Sequence, residues 1–337
     1  MDTSGVHKKY PINRRLTLAE YEQQLSPKRR TGVEPYYFWS TIRCNRTFLE
    51  ISDKFYSDKG SSNAGAMIGI AFNVALAIFM CWMFVEDFPF DTDDERISLY
   101  LGALGIVICL GALSLCVWAI VKESFEYTHY PIRFNRRTRM VHVFRLDGTV
   151  LSVSWEALFF TICPAGMFAG IRYWDLRAHV LDADRVTVRE TFALPGSSPG
   201  AAHLQLKAMW EYIRRYMEDG DGAASTVSRT PMYLPITKQR ESWLFGFQQV
   251  LVGGGNFAIY RVLLFPFLLL HSLGRWFAMR TSRIPVWPKE IEDACQIEPN
   301  DPYERDERNN PDDLWAVMKR MDWDGEERPV AKPNSNA

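Results

Sequence analysis

Two long uncharged apolar segments constrain this chain more than any other feature. Residues 66–85 and 97–121 are 20 and 25 residues long, and neither contains Asp, Glu, Lys or Arg. At a rise of about 1.5 Å per residue, each can cross a hydrocarbon core about 30 Å thick. Buried helices of a soluble protein are the alternative, but they seldom run this far without a polar face. The sequence therefore predicts a transmembrane hairpin over residues 65–121.

Charge on the two sides of the hairpin predicts its orientation. Residues 86–96 contain six acidic residues and one Arg, whereas residues 1–64 carry eleven Lys or Arg. More basic residues follow the second segment, beginning at Lys122. Because basic loops remain in the cytoplasm, the acidic loop is expected outside. Both termini and the main soluble domain are then cytoplasmic.

Small residues occur in both predicted spans. They are Gly65, Gly69, Gly102 and Gly105. Glycine lets helix backbones approach closely in lipid, which favours packing within the hairpin over a dimer interface, although a homo-oligomer stays open. Because neither span holds an ionisable residue, transport is not expected.

A third apolar block, residues 256–279, allows three interpretations. Arg261 and Arg275 interrupt it, and Pro266 would kink a helix. A segment lying in the cytoplasmic interface and a helix in a protein core are equally compatible with this pattern. A third span is the less favoured alternative, and it would move the C-terminus across the membrane.

The chain after the hairpin alternates as strands do. Residues 131–135, 140–144 and 149–153 read as three strands, with Asp147 and Gly148 in a hairpin turn. Residues 201–218 have helical spacing, with Leu204, Met209, Trp210, Ile213 and Met217 on the apolar face. We expect an α+β protein, in which the hairpin is followed by a small antiparallel sheet and an amphipathic helix, an order similar to the pleckstrin-homology-like architecture. The predicted regions are 1–64 (cytoplasmic N-terminal region), 122–288 (cytoplasmic domain, with 220–228 as a linker) and 289–337 (acidic tail).

Motifs for catalysis or metal binding are not found. Residues 196–200 match the G-x-S-x-G pattern, but Pro199 follows Ser198 and has no N–H for an oxyanion hole, so a plain loop is expected there. The six His and six Cys form no ligand spacing, so neither a metal nor a cofactor is expected. A net charge of −1 argues against binding to nucleic acid. The sequence predicts a protein that is not an enzyme.

Two charged regions are candidate binding surfaces. Arg136, Arg137 and Arg139 could contact anionic lipid or a partner, or could simply mark the topology on a solvated strand edge. Residues 289–328 hold fourteen acidic and six basic residues. This segment could be a solvated end, could dock on the chain's own basic regions, or could bind a basic partner. Asp312, Asp313, Trp315 and Trp323 are its candidate contacts, because Trp is frequent at binding hot spots.

The hairpin, the run from Pro131 to Arg145 and the pair Trp155-Glu156 together resemble a proteobacterial family of two-span membrane proteins of unknown function. Its members are commonly encoded beside type VI secretion effectors, and the chain is similar in plan to the immunity protein of the TseT nuclease toxin. The resemblance covers roughly residues 36–280 and brings no catalytic residues. It implies a bacterial inner-membrane protein that binds and neutralises a cognate secreted toxin, possibly a nuclease. The alternative is a membrane-anchored scaffold or anionic-lipid-binding module without a toxin partner.

Overall fold

The computed structural model describes residues 10–86, 93–168, 170–199, 203–253 and 258–320. The chain divides into two compact units. The first draws on Met1–Tyr56, His129–Gln239 and Pro285–Ala337, and the second on Ser57–Thr128 and Arg240–Ile284. Each unit is therefore built from separate stretches of chain.

The elements follow one another in this order along the chain. The strands are β1 (Arg14–Arg15), β2 (Gln24–Leu25), β3 (Thr41–Cys44), β4 (Phe48–Ile51), β5 (Ile132–Asn135), β6 (Met140–Phe144), β7 (Val150–Ser154), β8 (Leu158–Phe168), β9 (Ile171–Leu181) and β10 (Thr187–Pro199). The helices are α1 (Leu18–Glu22), α2 (Ser61–Glu86), α3 (Asp93–Glu123), α4 (Leu204–Glu218), α5 (Gly222–Ser228), α6 (Trp243–Gly253), α7 (Ala258–Thr281), α8 (Lys289–Ala294) and α9 (Leu314–Arg320). Short 3-10 turns lie at Trp155–Ala157 and Glu307–Asn309.

The first unit contains two five-stranded antiparallel sheets. Their strand orders are β1-β10-β9-β8-β2 and β3-β4-β5-β6-β7. In the first sheet, β1 and β2 are opposite edges, so α1 between them must cross the face of the three central strands. A capping box starts α1, since Thr17 Oγ1 accepts from the N–H of Glu20 and the Glu20 carboxylate accepts from the N–H of Thr17.

The core of this unit centres on aromatic rings from β8, α4 and the 3-10 turn that precedes β8. Trp155 and Trp210 stack with ring centroids 5.7 Å apart, and Phe160 lies 4.5 Å from the Trp210 ring. The four predicted core residues of α4 from Met209 onward are buried, but Leu204 is exposed and Leu206 is buried instead. The predicted amphipathic helix is confirmed, but the prediction that Leu204 belongs to its buried apolar face is wrong.

The strands predicted in the middle of the chain are confirmed as β5, β6 and β7. The expected order of a hairpin followed by a pleckstrin-homology-like domain with one small sheet is not what the structure has. Strands β1–β4 come before α2 and α3, and the described residues form ten strands in two sheets. Two local predictions are also wrong: residues 222–228 of the expected linker form α5, and Gly196 to Pro199 continue β10.

A buried ion pair joins three distant parts of the first unit. Arg133 in β5 donates to Glu50 in β4 over 2.8 Å, and both side chains are almost fully buried. Trp287 donates from Nε1 to the same carboxylate over 3.0 Å. The Arg133 guanidinium lies between two rings, 4.4 Å from the centroid of Phe48 and 4.7 Å from that of Trp287.

The C-terminal segment packs against the strands as far as it is described. The Arg305 N–H donates to Cys44 O over 2.8 Å, and buried Asp301 accepts from the N–H of Arg46 over 2.7 Å. Asn310 exchanges two hydrogen bonds with the backbone of Tyr233, each 2.7 Å long. The interpretation of residues 289–320 as a solvated end is therefore wrong, and docking on the chain itself fits them.

The second unit consists of α2, α3, α6 and α7. Among the described residues, three of its helices are long and apolar enough to cross a membrane, and the qualifying stretches are Ser61–Glu86, Leu99–Glu123 and Val262–Thr281. Helices α2 and α3 contain the two predicted spans. Helix α7 contains residues 258–279 of the third apolar block, with Pro266 inside it, and residues 256 and 257 lie outside the described part of the chain. This composition is that of a membrane protein.

Polar contacts gather at one end of this second unit. The Glu123 carboxylate at the end of α3 accepts from the N–H groups of Gly60 and Asn63 at the start of α2, each over 2.7 Å. Arg275 in α7 pairs with Glu241 just before α6, over 2.5 Å. Arg240 also donates to Ser282 O over 2.9 Å. The starts of α2 and α6 and the ends of α3 and α7 thus lie at the same end of this helical unit.

Gly60 packs against α7 so closely that a larger residue cannot fit. Its φ is +95°, and a Cβ would overlap the backbone of Arg275, whereas a Cβ on Gly65 would meet nothing within 4 Å. We expect Gly60→Ala to lower the free energy of unfolding by about 1–3 kcal/mol from backbone strain alone. Thermal unfolding of the full chain in detergent measures this, with Gly65→Ala as the control that stays at the wild-type midpoint or above. Equal midpoints for the two variants would contradict the close approach.

Candidate functional site

The predicted basic edge lies between β5 and β6, and its last arginine, Arg139, makes three contacts with the chain itself. Arg139 donates to Glu156 and to Glu218, each over 2.6 Å, and to Met217 O over 2.7 Å. Burial acts against the charged form of Arg139, but the two carboxylates raise its pKa. These contacts fasten the C-terminal end of α4 to the second sheet, since its last residues accept them.

The two other arginines of this edge differ in exposure. Arg136 donates to the carbonyl oxygens of Asp219 and Gly220, just past the end of α4. Arg137 is exposed and reaches Ala294 O over 3.5 Å. The structure therefore brings Arg136 and Arg139 together as supports of α4. Their role in binding a partner stays a prediction.

The acidic candidates lie on the outside of the C-terminal segment. Asp312 and Asp313 are exposed, and Asp313 accepts from the N–H of Ala316 over 3.0 Å, which caps α9. Trp315 is half-buried beneath Lys319, whose Nζ lies 4.8 Å from the ring centroid. Trp323 lies outside the described residues.

Several acidic groups of this segment are left for solvent or a partner. Within the described part of the chain, Glu290, Asp293, Glu298 and Asp312 are exposed and form no ion pair. We call these four residues the acidic surface. The acidic residues of the same segment with internal roles are Glu292, Asp301, Asp306 and Glu307.

Three of the four predicted membrane glycines face the other helix of the hairpin. A Cβ at Gly69 would lie 2.7 Å from Cys116 Sγ, one at Gly102 would lie 2.5 Å from the Phe84 ring, and one at Gly105 would overlap Met80. Gly65 has open space instead. These contacts match packing of α2 against α3 and leave no role for Gly65 in that packing.

The pattern around Ser198 does not form a nucleophile elbow. Ser198 is buried within β10, opposite Trp174 of β9, and its hydroxyl donates to Pro199 O over 3.2 Å. His203, the nearest histidine along the chain, packs its ring 4.5 Å from Trp174. The strand holds the serine in a ladder rather than at the tip of a turn.

A buried cluster that the sequence did not predict lies beneath α1. Glu20, Cys163 in β8 and His179 in β9 each present one potential ligand atom, and these three atoms lie within 4.8 Å of one another. Glu20 Oε1 is 3.3 Å from His179 Nε2 and 3.8 Å from Cys163 Sγ. No ligand spacing could reveal this group, because α1 brings Glu20 over the sheet from more than a hundred residues away.

Charges around the cluster are set by burial and by Arg14. Arg14 pairs with both oxygens of Glu20, over 2.5 and 2.7 Å. Burial acts to raise the pKa of Glu20, but the His179 ring, Arg14 and the N–H of Thr17 together hold it well below its usual range. Burial also lowers the pKa of His179 and raises that of Cys163 to about 11. In this state Cys163 is a neutral thiol and therefore a poor nucleophile.

Comparison with known proteins gives a family and no activity. A family described only as a family of unknown function, DUF6708, matches residues 109–299, which is more than half of the chain. The chain belongs to this family. The matched residues include β5–β10 and α4–α8, and thus Cys163 and His179. No curated protein and no solved structure matches the chain.

The supporting role of Arg139 can be separated from a general effect of basic charge. We expect Arg139→Gln to lower the free energy of unfolding by about 1–2 kcal/mol, because it removes charge-assisted hydrogen bonds that hold α4. Arg137→Gln removes the same charge from an exposed site and should change it by less than about 0.5 kcal/mol. Thermal unfolding in detergent compares the two variants. A larger effect at Arg137 than at Arg139 would refute this assignment.

Proposed function

We propose that this protein is a membrane-anchored binding protein that neutralises a secreted protein toxin of the type VI class. The observation that carries the binding role is the acidic surface. Its segment is fixed to the sheets by buried groups such as Asp301, yet Glu290, Asp293, Glu298 and Asp312 point outward. Exposed acids on a segment that is held against the sheets in this way suit a basic protein partner, because complementary charge speeds association and selects partners.

The basic edge supports the lipid-binding alternative less well. Arg136 and Arg139 donate to backbone and carboxylate groups of the chain itself. An arginine held in this way offers little of its charge to an anionic head group. Arg137 alone remains exposed on this edge, and one arginine near a membrane surface contributes only about 1 kcal/mol.

We also propose that the helical unit crosses the membrane twice through α2 and α3, while α6 and α7 enter and leave on one side. Helix α6 has 11 residues, or about 16 Å, which is half of what a span needs. Pairing of Glu241 with Arg275, and of Arg240 with Ser282, supports a return to the starting side. With basic residues before α2 and after α3, that side is the cytoplasm.

Reporter fusions test this topology. We expect a fluorescent protein fused after Ala337 to fluoresce, and alkaline phosphatase inserted between residues 87 and 92 to be active, because this enzyme folds only outside the cytoplasm. The control exchanges the two reporters. Phosphatase fused after Ala337 should be inactive, and the fluorescent protein inserted between residues 87 and 92 should not fluoresce. Phosphatase activity at the C-terminus would mean an odd number of crossings and would refute the proposal.

Protection of the native host tests the immunity role. A strain lacking this protein should lose at least about tenfold in survival against sister cells with a working type VI system, and the full chain should restore it. We expect the double variant Glu298→Lys, Asp312→Lys not to restore survival, because its lysines repel a basic toxin that the acidic surface attracts. Glu22→Lys with Asp221→Lys is the matched control, since both residues are exposed acids elsewhere on the first unit.

The outcomes separate immunity from the surface assigned to it. If the deletion strain survives as well as its parent, the protein is not an immunity protein against these cells. If it dies but the Glu298 and Asp312 variant protects it fully, the acidic surface is not the binding site. The partner should be identified by mass spectrometry of proteins that co-purify with the full chain in detergent. If the Glu298 and Asp312 variant loses protection, this partner should be missing from its preparation.

A further inference from the structure

We propose that the buried cluster of Glu20, Cys163 and His179 binds one Zn²⁺ ion. The ligand atoms are Glu20 Oε1, Cys163 Sγ and His179 Nε2. This inference is independent of the proposed toxin-binding role, because the cluster lies beneath α1, within the first sheet, and not on the acidic surface.

The separations of the ligand atoms suit a tetrahedral ion. Zinc bonds of about 2.0 Å to nitrogen and oxygen and about 2.3 Å to sulfur place neighbouring ligand atoms about 3.3–3.6 Å apart. Glu20 Oε1 is 3.3 Å from His179 Nε2 and 3.8 Å from Cys163 Sγ. All three atoms already lie within 4.8 Å of one another, so coordination requires side-chain adjustments of about an ångström or less.

A second, independent observation that supports a metal site concerns His179. His179 is fully buried, and its Nε2 faces the Glu20 carboxylate at 3.3 Å without the alignment of a hydrogen bond. Its other nitrogen, Nδ1, lies 2.7 Å from Thr191 Oγ1 in β10. A hydrogen bond from Nδ1 to a neighbouring group is the usual arrangement of a zinc-bound histidine, because it leaves the lone pair of Nε2 directed at the metal.

The remaining groups balance the charge of the ion. When Zn²⁺ binds, the Cys163 thiol loses its proton to solvent and a zinc–thiolate bond forms, while Glu20 is already ionised. Arg14 keeps its 2.7 Å hydrogen bond to the outer oxygen, Oε2, and yields Oε1 to the metal. A mixture of sulfur, nitrogen and oxygen ligands selects zinc over magnesium or calcium, which prefer oxygen alone. A water molecule fills the fourth position.

The location assigns the metal a structural role. The ion would join α1 to β8 and β9 and so hold the N-terminal crossing segment on the sheet. Cys163 and His179 are both buried, which leaves no path for a substrate of any size. Three protein ligands and one water is a coordination also found in catalytic zinc sites, but the burial of these ligands excludes a substrate, so the ion would contribute to folding.

The metal content of the full chain tests the proposal. We expect protein purified in detergent without chelators, from cells grown with zinc, to contain close to one zinc per chain by mass spectrometry of the metal. Cys163→Ser and His179→Gln should each lower this at least tenfold. Cys295→Ser is the matched control, because Cys295 is also buried but lies beside Asn135 and away from the cluster. Protein from cells grown with Co²⁺ should show a thiolate-to-cobalt absorption band that disappears in Cys163→Ser.

If Cys163→Ser and His179→Gln fail to fold, a variant that keeps all three ligands can still test the proposal. Thr191→Val preserves all three ligands and removes only the partner of Nδ1, so it should weaken zinc binding about 10–100-fold in competition with a chelator. Less than a tenth of a zinc per chain in the wild type would overturn the proposal. Full zinc content in both Cys163→Ser and His179→Gln would overturn it too, as would a cobalt form without a thiolate band.

Discussion

The first unit depends on the neutralisation of one buried charge. Arg133 is almost completely shielded from water, and a guanidinium in that position is tolerated only with a well-placed anion. Its anion, Glu50, precedes α2 and α3, and Trp287, which donates to Glu50 and covers Arg133, follows α6 and α7. Breaking such a pair generally costs about 3–5 kcal/mol. The charge is therefore satisfied only when three distant stretches of chain have assembled. This explains why the N-terminal and C-terminal regions are parts of the domain and not appendages.

This dependence on contacts between distant stretches of chain also explains which parts of the structure could be predicted from the sequence and which could not. Elements whose signal is local were predictable: the alternation of β5–β7, the helical spacing of α4 and the uncharged spans in α2 and α3. Strands β1 and β2 have two residues each, too few to show a period, and they exist because neighbours at the sheet edges accept them. The docking of the C-terminal segment rests on single residues such as Asp301 and Asn310, which look like ordinary polar residues in a charged tail. The arginines of the basic edge are visible in the sequence, but the contacts of Arg136 and Arg139 with the end of α4 appear only in the fold. The buried group around Glu20 has no sequence signature at all.

At its polar end, the helical unit pairs backbone N–H groups that would otherwise lack an acceptor. A helix that starts near a membrane leaves unsatisfied N–H groups, and Glu123 of α3 accepts two of them from the start of α2. One carboxylate thus caps one helix and fixes the axial position of its partner. Farther along α2, the Asn73 side chain donates one hydrogen bond to Gly69 O within its own helix. Together with the uncharged spans, this arrangement suits an anchor of fixed geometry.

The distribution of charge connects these observations to binding. A net charge of −1 suggests an electrically neutral surface, but the arginines and the acids are not equally exposed. Arg14, Arg133 and Arg139 direct their guanidinium groups at carboxylates within the first unit. The acids of the C-terminal segment with no internal partner are those that face solvent. The internal pairs are neutral in themselves, so the unpaired acids Glu290, Asp293, Glu298 and Asp312 leave a local negative charge on the C-terminal segment. A basic partner would meet that local field, which the overall balance of charged residues conceals.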